Sequence, residues 1–183
     1  MSAIVAIVGR PNVGKSTFFN RLVQCREAIV DSISGVTRDR HYGKTDWNGR
    51  DFSVIDTGGY VAGGDDIFQK EIDKQVNLAI EEADAIIFLT DVESGIMGTD
   101  EEIAQLLRRS KKPTFLAVNK VDNTKRAIDA NEFYALGFEE IFPISSVNGS
   151  GTGELLDAVV KVLPEEEKVE EEPLPRFAVV GRP

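Results

Sequence analysis

Residues 4–17 read Ile-Val-Ala-Ile-Val-Gly-Arg-Pro-Asn-Val-Gly-Lys-Ser-Thr, and this stretch decides the fold. Its five apolar residues predict a buried strand, and a glycine-rich turn leads into a helical pattern that begins at Lys15. The turn fits G-x-x-x-x-G-K-S, a loop whose main-chain N–H groups and helix N-terminus hold phosphate. The predicted nucleotide-binding residues of the loop are Gly9, Arg10, Pro11, Asn12, Val13, Gly14, Lys15, Ser16 and Thr17.

Two side chains of this loop carry specific chemistry. The lysine of such a loop reaches the β- and γ-phosphates, so Lys15 is predicted to be catalytic as well as phosphate-binding. The hydroxyl of Ser16 is predicted to bind Mg²⁺. A glycine turn that only packed a strand against a helix would need neither side chain.

Short apolar runs and helical patterns alternate along the rest of the chain. Strands are predicted at 4–8, 52–55, 85–89, 114–118 and 140–144, and helices at 15–22, 67–82, 100–109, 127–135 and 154–163. Asn48-Gly49 predicts a hairpin turn between 41–47 and 51–55, and Thr99 with Glu102 predicts a capping box for the third helix. The predicted fold class is therefore α/β, a P-loop NTPase three-layer sandwich whose mostly parallel sheet has one antiparallel edge strand.

Two further segments are expected to complete the phosphate site. Asp56-Thr57-Gly58-Gly59 fits D-x-x-G, in which Asp56 would hold Mg²⁺ through water and Gly59 would offer its N–H to the γ-phosphate. Thr37, in Gly35-Val36-Thr37-Arg38-Asp39, is predicted to reach Mg²⁺ and the γ-phosphate. A glycine-rich turn and an ordinary polar loop are the alternative explanations. The predicted catalytic residues are Lys15, Thr37, Gly59 and Asn12, and the predicted Mg²⁺ ligands are Ser16, Thr37 and Asp56.

A third motif predicts which base is bound. Asn119-Lys120-Val121-Asp122 follows an apolar strand and fits N-K-x-D. A carboxylate at Asp122 accepts hydrogen bonds from guanine N1–H and its 2-amino group, whereas adenine lacks this donor pair. Taken alone, these residues would suit a helix cap equally well. Ser145 and Ser146 are predicted to contact the base through main-chain N–H groups, although a turn of small residues also explains them.

Composition excludes several classes of protein. The 183 residues include one cysteine, Cys25, so no internal disulfide can form. The net charge of −10 is a poor match for a broad nucleic-acid surface. No secretion signal or membrane span is apparent. We therefore expect a monomeric chain in the cytoplasm with no membrane partner.

The last residues differ from the rest of the chain. Residues 165–176 are mostly acidic and are predicted to be a solvated linker after a GTP-binding domain at 1–164. Residues 177–183 repeat 5–11 with five of seven residues identical. Chance similarity between two apolar runs is one explanation. The repeat favours another, in which 177–183 is the first strand of a second GTP-binding domain.

The motifs together resemble those of small GTPases, and the sequences Gly-Arg-Pro-Asn-Val-Gly-Lys-Ser, Gly-Val-Thr-Arg-Asp and Asp-Thr-Gly-Gly-Tyr resemble the EngA/Der family. This resemblance covers residues 1–164 and implies GTP and GDP as ligands. It implies two tandem GTPase domains, an RNA-binding KH-like domain and a role in assembly of the large ribosomal subunit. Related GTPases usually have Ser-Ala where this chain has Ser145-Ser146-Val147.

The expected hydrolysis departs from one common scheme. Tyr60 stands where many GTPases have a glutamine that orients the attacking water. The side chain of Asn12 is predicted to help hold K⁺ beside the phosphates, as in families that this one resembles, although Asn12 could also only shape the turn. Two alternatives stay open: a nucleotide-dependent binding module with little turnover, and the cytoplasmic head of a membrane iron transporter.

Overall fold

The structure of the chain is a computed structural model that describes residues 3–24, 41–57, 74 and 76–164. Several predicted features lie outside these residues. They are Cys25, Thr37, Gly58, Gly59, Tyr60, the first part of the helix predicted at 67–82, and the segments 165–176 and 177–183.

Strands and helices alternate through the described chain. The strands are β1 (Ala3–Val8), β2 (His41–Trp47), β3 (Arg50–Asp56), β4 (Ala85–Asp91), β5 (Thr114–Asn119) and β6 (Ile141–Pro143). The helices are α1 (Lys15–Gln24), α2 (described over 76–82), α3 (Gly98–Ser110), α4 (Thr124–Asp129), a 3-10 helix (Ala130–Leu136) and α5 (Thr152–Val162).

The described strands form one sheet in the order β2-β3-β1-β4-β5-β6. All neighbouring pairs are parallel except β2 with β3, which run antiparallel at the edge. Asn48 and Gly49 join these two strands with φ of 50° and 77°, the left-handed conformations that tight hairpin turns require. The predicted fold class and its antiparallel edge strand are confirmed.

Apolar side chains are buried on both faces of the sheet, as expected for strands covered by helices on each side. One core joins the sheet to α1 and α5 and includes Phe18, Leu22, Leu155 and Val159. The other joins it to α2, α3 and the 3-10 helix and includes Val76, Ile103, Leu107 and Phe133. Within the described residues, no helix combines the length and apolar character needed to cross a bilayer.

Two predicted helix starts are wrong. The Thr99–Glu102 capping box is not formed, because α3 begins at Gly98 and the Asp100 carboxylate accepts the Met97 N–H at 3.1 Å. The helix predicted at 127–135 begins earlier, where the Asn123 side chain accepts the Arg126 N–H, and continues as a 3-10 helix from Ala130. In α3 the Asp100 side chain bonds the N–H of the residue before the helix, whereas in α4 the Asn123 side chain satisfies a free N–H of the first turn.

The parallel strands direct their carboxyl ends to a single edge of the sheet. The P-loop, Asp56, Asp91, the N-K-x-D segment and the loop at 145–151 each follow or end one of these strands. In open α/β sheets this edge is where ligands bind. The topology therefore brings together motifs that are separated by more than 100 residues of sequence.

Candidate nucleotide-binding site

The P-loop adopts a conformation that requires glycine at two positions. Gly9 has a φ of 153°, and a Cβ there would lie 2.2 Å from the main-chain oxygen of Leu89. Gly14 has a φ of 99°, and a Cβ there would lie 2.4 Å from the side-chain nitrogen of Asn119. The loop is thus packed against the ends of β4 and β5, which keeps its path fixed.

Lys15 lies at the centre of this loop. Its ammonium group is largely buried and donates to the main-chain oxygens of Gly9 at 2.7 Å and Arg10 at 2.8 Å. Burial lowers the pKa of Lys15 to about 8, against the opposing effect of the nearby Asp56 carboxylate. A buried cation whose hydrogen-bond partners are neutral carbonyls is strongly stabilised by an anion such as phosphate.

Ser16 and Asp56 lie next to each other beside the loop. The Ser16 hydroxyl donates to Asp56 Oδ2 at 2.8 Å, and Asp56 is buried at the end of β3. A hydroxyl and a carboxylate are oxygen ligands of the kind that Mg²⁺ accepts from protein, with water and phosphate completing its shell. The two groups therefore fit the predicted Mg²⁺ site. The described residues contain no group of three or more His, Cys, Asp or Glu side chains that could hold a metal.

The other predicted phosphate-site residues have varied surroundings. Arg10 donates to Asp100 at 3.2 Å, and Asn12 is exposed with a φ of 66°. Val13 is buried in the core, so it can contribute only main-chain groups to a ligand. The Thr57 hydroxyl donates to the Ile7 main-chain oxygen, which joins the ends of β3 and β1. Pro11 is partly buried, Thr17 is exposed, and Thr37, Gly58 and Gly59 lie outside the described residues.

A cavity of about 330 Å³ lies beside the P-loop, between the N-K-x-D segment and the loop that follows β6. Most of its lining residues have polar or charged side chains. Its lining residues are Gly14, Thr17, Glu93, Asn119, Lys120, Asp122, Arg126, Ser145, Ser146, Val147 and Asn148. The predicted phosphate-binding and base-binding motifs therefore meet in one pocket, with Asp122 on its wall.

Asn119 ties the three walls of this pocket together. Its buried side chain donates to the Val13 main-chain oxygen at 2.7 Å. Its oxygen accepts both the main-chain N–H and the hydroxyl of Ser146 at 2.9 Å. Asn119 thus connects the P-loop, the end of β5 and the 145–151 loop, and both sides of its amide are satisfied.

The main-chain N–H groups of Ser145 and Ser146, for which a base contact is predicted, already have partners within the protein. The Ser145 N–H already donates to the Ser150 main-chain oxygen at 2.9 Å, and the Ser146 N–H donates to Asn119. Since an N–H carries a single hydrogen, a base contact from either group would compete with a bond already present, and the contact stays a prediction. The next residue, Val147, lines the pocket with an exposed side chain, so its main-chain N–H is the better candidate.

Sequence reasoning missed Arg21, which holds this loop from α1. Its guanidinium donates to the main-chain oxygen of Ser146 at 2.5 Å and to that of Val147. The two segments are 125 residues apart, and no local pattern around Arg21 signals the contact. The 145–151 loop is therefore positioned by a helix that begins in the P-loop.

A second missed group is the ion-pair network at the ends of β4 and β5. Lys120 donates to Asp91 at 2.7 Å and lies 3.3 Å from Glu93. The hydrogen bond to Asp91 raises the pKa of Lys120. Burial alone would raise the pKa of Asp91, but its hydrogen bonds from Lys120, Glu93 N–H and Ser94 hold it below the usual value. Arg126 joins this network through Asp122 and Glu93, at an i,i+4 spacing from Asp122 that could have been noticed in the sequence.

Comparison with known proteins identifies this arrangement. Residues 4–120 match the protein family described as 50S ribosome-binding GTPase. The chain belongs to this family. Its described residues include the P-loop and the N-K-x-D segment, and the predicted resemblance to the EngA/Der family is confirmed by the relatives described next.

Two relatives match over nearly the whole chain. GTPase Der of Christiangramia forsetii is 73% identical over 183 residues, and GTPase Der of Flavobacterium johnsoniae is 66% identical over 182 residues. The matches cover 100% and 98% of this chain, and 42% of each relative. The chain thus spans less than half the length of these relatives.

A solved structure gives the same result for the fold. Era in complex with MgGDPNP and a segment of 16S ribosomal RNA is 31% identical, with a TM-score of 0.72. The match covers 97% of this chain and 59% of the Era chain. The likeness therefore includes the sheet and the edge at which the P-loop lies.

Proposed function

We propose that this domain binds GTP and GDP in the described pocket and hydrolyses GTP to GDP and phosphate. The observation that carries the proposal is the junction at Asn119, which joins a lysine-bearing P-loop to a pocket that presents the Asp122 carboxylate. Such a site can hold a polyphosphate at one end and a base with adjacent donors at the other.

The phosphate end would act through charge and fixed main-chain donors. Lys15 would exchange its two carbonyl partners for phosphate oxygens, and the N-terminus of α1 would add positive potential. Ser16 and Asp56 are the described residues that would hold Mg²⁺, Ser16 directly and Asp56 through water. When bound, Mg²⁺ stabilises negative charge on the phosphate oxygens. Thr37 and Gly59 stay predicted partners of the γ-phosphate.

The base end would select guanine. The two oxygens of Asp122 would accept guanine N1–H and the 2-amino group, and the Val147 N–H would donate to the base oxygen. An adenine would place the wrong groups against a carboxylate, and such a mismatch is costly in a desolvated site. Lys120 is held beside this carboxylate by Asp91, where its aliphatic part can cover the base.

We further propose that K⁺ assists hydrolysis, with Asn12 among its ligands. The exposed side chain of Asn12 makes no hydrogen bond with the described residues, so its oxygen is available. A cation between the phosphates would stabilise the charge that develops in the transition state. It would supply stabilisation that Tyr60, in place of a glutamine, does not.

Phosphate release tests both proposals. At constant ionic strength, hydrolysis by the wild type should be several-fold faster in K⁺ than in Na⁺ or a large organic cation. Asn12→Ala should lose this preference, whereas Asn131→Ala, an exposed asparagine in the 3-10 helix, should keep it. Equal rates in all three salts would remove the cation from the mechanism. GTP binding without turnover in any salt would favour the binding-module alternative.

The proposal for the whole protein extends beyond the described chain. We propose that residues 165–176 link this domain to a second GTP-binding domain whose first strand is 177–183, and that the protein acts in the cytoplasm as a switch in assembly of the large ribosomal subunit. The domain itself is proposed to be monomeric. The family description and the relatives named GTPase Der support this role. A continuation Asn-x-Gly-Lys-Ser after Pro183 would be the expected sequence.

A further inference from the structure

One guanidinium group bridges two carboxylates on the wall of the base pocket. Arg126, in α4, donates through Nη1 to Oδ1 of Asp122 at 2.7 Å and through Nη2 to Oε1 of Glu93 at 2.5 Å. Glu93 follows β4 and Asp122 follows β5, so this bridge connects the ends of two strands. All three residues line the cavity.

The same guanidinium also contacts the main chain of the N-K-x-D segment. Nη1 of Arg126 donates to the Lys120 main-chain oxygen at 3.1 Å. Lys120 has a φ of 65°, a conformation that residues other than glycine rarely adopt. Arg126 therefore binds both the Lys120 carbonyl within this turn and the Asp122 carboxylate that follows it.

Asp122 has few other restraints. Its side chain is 49% exposed, and the terminal torsion of an aspartate is broad and weakly defined. Besides Arg126, Oδ1 accepts the Asn123 side chain at 3.2 Å. Among the described residues, Oδ2 accepts no hydrogen bond. Recognition of two adjacent N–H donors needs both oxygens in one defined plane, so the orientation of this carboxylate determines the selectivity of the pocket.

We propose that Arg126 is a positioning residue for base recognition. Its guanidinium, anchored by Glu93 and by the Lys120 carbonyl, fixes the plane of the Asp122 carboxylate so that both oxygens accept from the base. A carboxylate oxygen has two acceptor positions, and Arg126 and the Asn123 side chain fill those of Oδ1. The base would replace the longer bond from Asn123, and Oδ1 would keep Arg126. This inference rests on the proposed binding of guanine nucleotides and adds how that site achieves its selectivity.

A purely structural ion pair would behave differently. Partly exposed pairs at i,i+4 spacing contribute little to stability, and α4 has only six residues. If Arg126 only supported that helix, its loss would weaken binding of all nucleotides alike or of none. If Arg126 positions Asp122, its removal should weaken mainly the binding of nucleotides whose base uses both carboxylate oxygens.

The experiment compares GDP with IDP, whose base lacks the 2-amino group and so offers one donor in place of two. Arg126→Met should lower GDP affinity about tenfold, the effect of one well-placed charged hydrogen bond. IDP affinity should fall less, so the GDP/IDP preference decreases. Arg126→Lys should keep only part of the wild-type GDP affinity and GDP/IDP preference, because an ammonium cannot bridge both carboxylates. Lys125→Met removes an exposed cation from the adjacent position in α4 and should leave both affinities unchanged.

A double mutant separates positioning from support of the loop. In an Asp122→Ala background, Arg126→Met should no longer change GDP affinity, because the group that it orients is absent. A retained penalty in that background, equal losses for GDP and IDP, or tighter GDP binding by Arg126→Met would each overturn the inference. A wild-type domain that does not prefer GDP to ADP would instead overturn the proposed function itself.

Discussion

The phosphate end and the base end of this site are built in different ways. The phosphate end consists mainly of one continuous segment, 9–17, whose groups are positioned by two glycines and a helix start, with Asp56 added from the end of β3. The base end is assembled from the ends of β4 and β5, the start of α4 and the loop after β6, with Arg21 and Arg126 as side-chain connections. The first end depends on local backbone geometry, whereas the second depends on long-range contacts.

This difference predicts how each end fails. The P-loop binds through main-chain groups, so it should lose function when its backbone conformation changes. Gly9 and Gly14 are closely packed, and substitution at either position would force such a change. The base end is held by side-chain contacts, so the protein can lose one of them and still fold. The residues of the pocket are then positioned less precisely. Asn119 is the point where the two modes meet, because it binds Val13 in the P-loop and Ser146 in the base loop.

The strongest test of the base end is Asp122→Asn. GDP affinity should fall about a hundredfold or more, since one carboxylate acceptor becomes an NH2 donor that faces the 2-amino group and the remaining hydrogen bond loses its charge. The variant should come to prefer xanthine nucleotides, because their C2 oxygen accepts from the new amide. Competition titrations with GDP and XDP measure both effects. Asp129→Asn, the same change at an exposed position at the end of α4, serves as the control. Unchanged GDP affinity in Asp122→Asn would place the base elsewhere.

Asn119→Ala tests the junction itself. The change leaves the Val13 carbonyl and the Ser146 N–H buried without partners, which should lower the free energy of unfolding by about 2–4 kcal/mol. Urea denaturation of the nucleotide-free domain measures this loss. Asn131→Ala should change stability by less than about 0.5 kcal/mol. If Asn119→Ala were equally mild, the two ends would not depend on this amide.

The smallest effect concerns the charge of Lys15 at the phosphate end. Its pKa of about 8 means that the free protein carries a partly neutral lysine at alkaline pH, and a bound polyphosphate restores the proton. Binding should therefore take up a fraction of a proton that is larger at pH 8.5 than at pH 7.5. Because the bound state holds the extra proton, affinity falls as the pH rises through 8.

Calorimetry in two buffers of different ionisation enthalpy measures this uptake. The increase between pH 7.5 and pH 8.5 distinguishes Lys15 from groups that titrate near neutrality. An uptake that stayed the same at both values would show that burial does not hold the lysine partly neutral. Lys15 would then be fully protonated before the nucleotide binds, and its burial would not affect its charge.

Most of the fold could be predicted from the sequence. Strand-length apolar runs and the Asn48-Gly49 turn correctly predicted the parallel sheet and its antiparallel edge. Helix starts were less certain, since the Thr99–Glu102 spacing predicts a capping box but the N-cap of α3 is Met97. The Met97 N–H donates to the buried Asp100 carboxylate, which also accepts from Arg10. Propensity cannot show which of two adjacent polar side chains will become buried.

The sequence by itself determined which residues form the P-loop and the N-K-x-D segment, and with them the chemistry predicted for the phosphate end and the carboxylate predicted for the base end. Both depend on residue types at fixed local spacing, which a linear pattern records directly. Only the tertiary structure decided that the Ser146 N–H belongs to Asn119, that Arg21 holds the base loop and that Arg126 contacts Asp122 and Glu93 together. A hydrogen bond forms between whichever donor and acceptor the packed helices and strands bring within about 3 Å, and no sequence period encodes that distance.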